Sequence, residues 1–160
     1  LLSAREQKNP GQFKDKNNFA GSTAFVDFNL VKGTLMQSFD FYRALSHPFA
    51  KAAYIMFVLS EVHPFLDGNG RIARIMMNSE LVNGNQSKII IPTVYRDDYI
   101  GALRKLTRQG DPAPYISMLN RAHAFSENIY GDDMDEMQKT LIDTKAFFDH
   151  TEGRLTIIQR

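Results

Sequence analysis

The stretch HPFLDGNGRIAR, residues 63–74, gathers a histidine, an aspartate, two glycines around an asparagine, and two arginines. Those residue types at that spacing suit chemistry on a phosphate. Gly68-Asn69-Gly70 falls where a loop passes into a helix, and glycine permits the left-handed backbone that turns successive N–H groups into one concavity. A helix N-terminus behind such a turn offers N–H groups and partial positive charge, which attract anions and phosphates above all. Arg71 and Arg74, three residues apart, share a helix face, and each presents a planar fork of donors. Arginine in a first helical turn opposes the helix dipole, a conflict that a bound polyanion would relieve.

Asp67 adjoins this nest, where a bare carboxylate would repel a phosphate unless a cation lay between them. Mg²⁺ held by one carboxylate, phosphate oxygens and water meets that need. His63, with an ordinary pKa near 6.5, suits a general base at neutral pH. Pro64 and Phe65 stiffen the turn and anchor it in the core. Each piece has a plainer reading: a satisfied structural histidine, an ordinary Gly-Asn-Gly turn, a solvated arginine face, an aspartate capping a helix. The conjunction favours the chemical one. Gly68–Ala73 also fits the loose dinucleotide pattern G-x-G-x-x-A, but HPFLD stands where a strand should run into the first glycine, and no acid follows near Lys88. No G-K-S/T follows Gly70, so the P-loop pattern fails as well.

The elements that must hold this loop read mostly as helices. Phe49–Val62 is apolar nearly all round and fits a buried central helix, with Pro48 in its first turn. Arg71–Val82 reads as the helix on the far side of the loop, with Gly84 as its C-terminal cap. Thr34–Leu45 has helical spacing at Leu35, Met36, Phe39 and Tyr42. Further helices are predicted over Asp97–Arg108, Pro112–Ile129 and Asp133–Phe148. Lys88–Thr93 is predicted to be extended, and Leu155–Ile158 a small terminal strand. Asn9-Pro10-Gly11 and Ala20-Gly21-Ser22 are turn material, and the alternation in Ala24–Phe28 predicts a strand or flap. The class is mainly α.

Bulk properties narrow the partners. The chain has 160 residues, 43% hydrophobic and 23% charged, with a formal net charge of +1. That balance points to neither a nucleic-acid binder nor a polybasic membrane anchor. The longest apolar run, Ala52–Leu59, is too short to span a bilayer. With no cysteine, disulfides and thiolate metal sites are excluded. The chain opens on Leu1 rather than Met, as a fragment lacking an N-terminal region would.

HPFLDGNGRIAR resembles the signature of the Fic (filamentation-induced-by-cAMP) family, H-P-F-x-(D/E)-G-N-G-R-x-x-R. Every specified position is met: His63, Pro64, Phe65, Asp67, Gly68, Asn69, Gly70, Arg71 and Arg74. Asn9–Lys14 is similar to the family's upstream P-G-E-F-R element, with Gln12 and Lys14 as departures. The segments around LVKGTL, IIIPTVYRDDYIGALR and the tail after Asp143 look like one bacterial subgroup. The resemblance implies a single helical-bundle Fic domain over 1–160, with a core at about 30–130 and a C-terminal helix and tail at 132–160. It also implies a short β-hairpin flap, for which 21–30 is the candidate.

The activity implied is protein adenylyl transfer. AMP would pass from ATP to a Tyr, Thr or Ser hydroxyl of a target protein, with release of pyrophosphate. On that resemblance His63 is the base and Asp67 the Mg²⁺ ligand. Gly68, Asn69 and Gly70 cradle the phosphates, Arg71 and Arg74 bind the outer ones, and Pro64 and Phe65 are structural. Alternatives from other classes are a hydrolase that removes AMP from a modified protein and a non-catalytic nucleotide-binding interaction module. Many members carry an inhibitory S/T-x-x-x-E-G/N helix, and no glutamate of this chain meets that pattern. Glu152-Gly153 comes nearest, but Phe148 holds the hydroxyl position. An inhibitor is then expected in a missing N-terminal segment, on a partner protein, or not at all. Membrane and nucleic-acid partners are not expected. The expected location is the cytoplasm or, for a pathogen's protein, a host cell.

Overall fold

The structure, a computed structural model, describes residues 9–157. Its elements there are a small hairpin, β1 (Phe19–Ala20) and β2 (Thr23–Ala24), followed by α1 (Val31–Ala44), α2 (Pro48–Val62), α3 (Asn69–Asn83), α4 (Arg96–Gln109), α5 (Ala113–Ser126) and α6 (Met134–Asp143). Single 3-10 turns at Phe28–Leu30 and Thr93–Tyr95 lead into α1 and α4. The mainly helical class is as the sequence implies. No helix among the described residues is long and apolar enough to cross a membrane.

The chain divides into two compact units, Leu1–Gln86 and Ser87–Arg160. In the first, α2 and α3 form an antiparallel pair around the 63–68 loop. No residue of α2 is exposed, as its all-round apolar sequence requires. Met56 on α2 and Ala73, Met77 and Leu81 on α3 are completely buried, a 4-4 spacing that lays one stripe of α3 into the core. Gly84 caps α3 beside the start of α2. A Cβ there would land 2.3 Å from Pro48 Cβ, so only glycine lets the two ends close. Helix α1 packs Val31 against Val58 and Val62 of α2, and Tyr42 Oη donates to Glu80 Oε1 of α3 at 2.8 Å. The hydroxyl's bond to that carboxylate pushes the Tyr42 pKa up.

In the second unit α5 supplies the buried face through Tyr115, Met118, Leu119, Ala122 and Phe125, a helical 3-4 spacing. Burial drives the Tyr115 hydroxyl far above its ordinary range. The 87–92 link has no regular structure, and its Ile90 N–H is held by Ser126 Oγ at 2.7 Å.

Several boundaries differ from expectation for identifiable reasons. The strand predicted over Ala24–Phe28 lies earlier: Phe19 pairs with Ala24 and Ala20 with Thr23 across the Gly21-Ser22 turn. Phe28 belongs instead to a 3-10 turn capped by Asp27, whose Oδ1 accepts the Asn29 N–H at 2.9 Å. Helix α6 stops at Asp143 rather than Phe148 because Lys145 takes a left-handed φ of 60°. The Lys145 and Ala146 N–H groups then bond back to Ile142 and Leu141 carbonyls, a left-handed helix end that usually announces itself with glycine. Leu155–Ile157 form no strand, and Ile158 lies outside the described residues.

Candidate active site

The loop between α2 and α3 starts and ends in left-handed backbone. His63 terminates α2 at φ 48° and ψ 60°, its N–H bonded to Leu59 O at 3.2 Å. Gly68, at φ 81° and ψ 5°, is the N-cap of α3. Gly70 is not left-handed: it lies in the first helical turn, where a Cβ would sit 3.4 Å from Arg74 Nη1. A side chain there would meet only the flexible end of Arg74 at about contact distance, so the left-handed freedom expected of both glycines is used at Gly68 alone.

Asn69 binds the loop to itself. Its Oδ1 accepts the Phe65 N–H at 2.9 Å and its Nδ2 donates to Phe65 O at 2.8 Å, with the residue only 3% exposed. The side chain expected to contact phosphate therefore turns inward and shapes the loop. Pro64 is fully buried behind it, and Phe65 packs against Phe13 with ring centroids 6.0 Å apart.

An N-terminal segment clamps the same loop from outside. Buried Lys14 donates from Nζ to Val62 O at 3.2 Å and to Asn18 Oδ1 at 2.8 Å, and from its backbone N–H to Pro64 O at 2.8 Å. Asn18 Nδ2 in turn donates to Phe65 O at 2.9 Å, so that carbonyl receives two amide donors. Burial pushes the Lys14 pKa down, and the Asp27 carboxylate partly opposes this.

The chemically active groups stand on this frame. His63 Nδ1 lies 2.7 Å from Ser60 O. A carbonyl can only accept, so the neutral ring carries its proton on Nδ1 and keeps Nε2 as the proton acceptor. Burial pushes the His63 pKa below 6.5; the Ser60 hydrogen bond opposes this and the Lys14 charge adds to it. One face of the imidazole is covered by the Phe25 ring, stacked at 3.5 Å between centroids and 9° between planes. Asp67 Oδ1 accepts the Gly68 N–H at 2.6 Å and lies 3.9 Å from Arg71 Nη2.

His63, Asp67, Gly68, Asn69, Gly70, Arg71 and Arg74 all line one cleft of about 340 Å³, completed by Asn18, Phe19 and Leu66. The volume falls in the range of small-molecule sites. The predicted polar residues are thus brought together, with Pro64 and Phe65 behind them. Among the described residues no cluster of three or more His, Cys, Asp or Glu is set to hold a metal ion. Asp67, a single hard oxygen donor on the cleft, fits Mg²⁺ shared with phosphate oxygens and water. Sequence reasoning missed Asn18, Phe19 and Phe25. Asn18 and Phe19 were marked only by proximity to the Ala20-Gly21-Ser22 turn, and Phe25 only by lying in the Ala24–Phe28 stretch read as a strand or flap.

Helix–loop–helix architecture, phosphate-suited cleft and signature find their counterpart in known proteins. The sequence profile of the Fic/DOC family matches residues 1–81. A Fido domain-containing protein of Dictyostelium discoideum is 30% identical over 128 residues, covering 74% of this chain and 90% of that protein. The chain belongs to the Fic/DOC family. A protein of Drosophila persimilis named protein adenylyltransferase Fic is 40% identical over 73 residues, which are 46% of this chain but 14% of that protein. Among solved structures, a segment of Fic-1 from C. elegans superposes with a TM-score of 0.64 at 24% identity, over 91% of this chain and 40% of that one. A Fic domain containing signaling protein from Bacteroides thetaiotaomicron gives 0.57 at 18% identity, over 72% and 53%. These two likenesses show the fold.

Proposed function

We propose that this chain is a protein adenylyltransferase that moves AMP from ATP to a hydroxyl-bearing side chain of a target protein. The observation that carries the reading is the placement, on one cleft, of a histidine fixed with Nε2 as acceptor, the Asp67 carboxylate, and two arginines at a helix N-terminus. Kinship with Drosophila proteins named protein adenylyltransferases supports it.

In this reading Nε2 of His63 takes the proton of a Tyr, Thr or Ser hydroxyl as its oxygen attacks the α-phosphorus of ATP. The new P–O bond forms as the bond to the β-phosphate oxygen breaks, and pyrophosphate leaves. Arg71 and Arg74, with the first N–H groups of α3, hold the outer phosphates and stabilise charge on the leaving group. Asn69 keeps the loop in the shape that presents those groups, and Asp67 holds Mg²⁺, which supplies charge neutralisation when bound. The β1–β2 hairpin, displaced from the 21–30 flap candidate, is the edge on which an extended target segment would add as a strand. Restraint by a partner protein or an additional segment, and kinship to a bacterial subgroup through the flanking segments, belong to the same reading.

The test uses purified protein, Mg²⁺ and ATP labelled on the α- or the γ-phosphate, alongside His63→Ala. Label entering protein from α-labelled ATP only, and lost in the variant, is the expected result. Label from γ-labelled ATP would mean phosphoryl transfer and overturn the donor geometry. Binding of ATP with no transfer to itself or to any protein in a lysate would favour the interaction module.

A further inference from the structure

The base is held by more than its own loop. Its N–H caps α2 on Leu59 O, and Nδ1 bonds to Ser60 O. One hydrogen bond at a ring edge still leaves the imidazole free to rock about the Cβ–Cγ bond, a broad torsion for an sp² ring. The Phe25 ring, parallel to the imidazole within 9° and 3.5 Å from its centre, closes that freedom from the face. Phe25 is not among the cleft-lining residues.

We propose that Phe25 is a positioning residue for His63, through which the β1–β2 hairpin sets the plane of the catalytic ring. The inference rests on the function proposed above. The hairpin is anchored for this task. One pair beyond Phe19–Ala24, the Phe25 N–H bonds to Asn18 O at 3.4 Å. That single cross-strand pair reaches two points of the loop at once: Asn18 holds Phe65 O, and Phe25 covers His63. Asn17 braces the other side, taking the Phe28 N–H at 2.9 Å and donating to Asp27 Oδ2 at 2.9 Å. A segment of two-residue strands would otherwise be a weak place to mount a catalytic support.

Three variants separate positioning from bulk. Phe25→Leu keeps apolar volume without a flat face, Phe25→Ala removes both, and Phe25→Tyr keeps the stack. ¹⁵N shifts of the His63 ring, read on the whole chain, report the tautomer independently of turnover. The wild type and Phe25→Tyr are expected to show one Nδ1–H tautomer, and Phe25→Leu a mixture. The kcat for AMP transfer is expected to fall about 10- to 100-fold in Phe25→Leu, the scale of a misplaced reacting group. KM for ATP stays within about twofold and Phe25→Tyr restores the rate, because the phosphate cradle is untouched. A Phe25→Leu protein that keeps a single Nδ1–H tautomer and an unchanged kcat overturns the proposal. If the wild type transfers no AMP, the functional reading fails on its own and the tautomer measurement still decides the role of Phe25.

Discussion

Burial of the His63 ring fixes the direction in which acid should act. Its pKa lies below 6.5 in the folded chain, so Nε2 is available as a base at pH values where a solvated histidine is already protonated. The acid limb of kcat/KM for AMP transfer is therefore expected to turn below pH 6.5, and its inflection to rise in Phe25→Ala, which lets water onto the ring. Stability moves with the same sign. Above about 6.5 the stabilisation from folding around a neutral ring is fully present. It is lost as pH falls through the lower folded-state value, where the native protein must take up the proton the unfolded chain already carries. A pH–rate profile with urea unfolding at the same pH values checks both. At this scale the sequence was readable where residues are contiguous: the loop carries its histidine, aspartate and arginines within one short run. Lys14, Asn18 and Phe25 were not readable as partners of the loop, because their contacts close over dozens of positions, 48 for Lys14 to Val62 and 47 for Asn18 to Phe65.

The elements were legible to the extent that one periodicity or one cap defines them. Helix α2 announced itself by continuous apolar residues, and α4 by acidic residues at its start and Gly110 at its end, where φ is 66°. Helix α3 begins two residues before the expected Arg71 because left-handed Gly68 is the cap, so Asn69 and Gly70 are already helical. That shift has an energetic consequence. Asn69 projects from the first helical position yet ties its whole amide to the Phe65 backbone. Asn69→Ala leaves a loop N–H without its acceptor and is expected to cost about 1–3 kcal/mol, the penalty of an unsatisfied buried group. Urea denaturation should show a lower midpoint with an unchanged slope. ATP affinity should weaken with it, because the turn presenting Gly68 and Gly70 loses its clasp. The hairpin was expected, but its strands were placed too late in the chain, because two residues per strand carry too little alternation to locate.

For the molecule as a whole, order is expected to be graded within the Leu1–Gln86 unit. The completely buried side chains of α2 and α3, Met56, Met77 and Leu81 among them, mark the slowest-opening region, since sub-global stability follows apolar burial. The hairpin lies at the other extreme, with Phe19, Ala20 and Ala24 exposed. Amide hydrogen exchange is expected to show the longest protection in the middle turns of α2 and α3 and exchange orders of magnitude faster at 19–24. Nucleotide binding should slow exchange at Gly68–Arg71 before it affects α1. A net charge of +1 gives the molecule little long-range pull on an anion, so in the proposed function the attraction of ATP falls to Arg71, Arg74 and the α3 N-terminus locally.

The left-handed backbone of His63 sets folding and chemistry against each other at one residue. A β-carbon in that conformation costs about 1–2 kcal/mol that glycine does not incur, so two variants lacking the imidazole should behave differently. His63→Ala keeps the strain and loses the stack, whereas His63→Gly sheds the strain; in thermal unfolding the glycine variant should melt higher than the alanine variant. Asparagine, which tolerates the same conformation, should fall on the glycine side. Among replacements of the imidazole, heat tolerance alone would favour glycine or asparagine at position 63, and neither leaves a group to accept the proton in the proposed reaction.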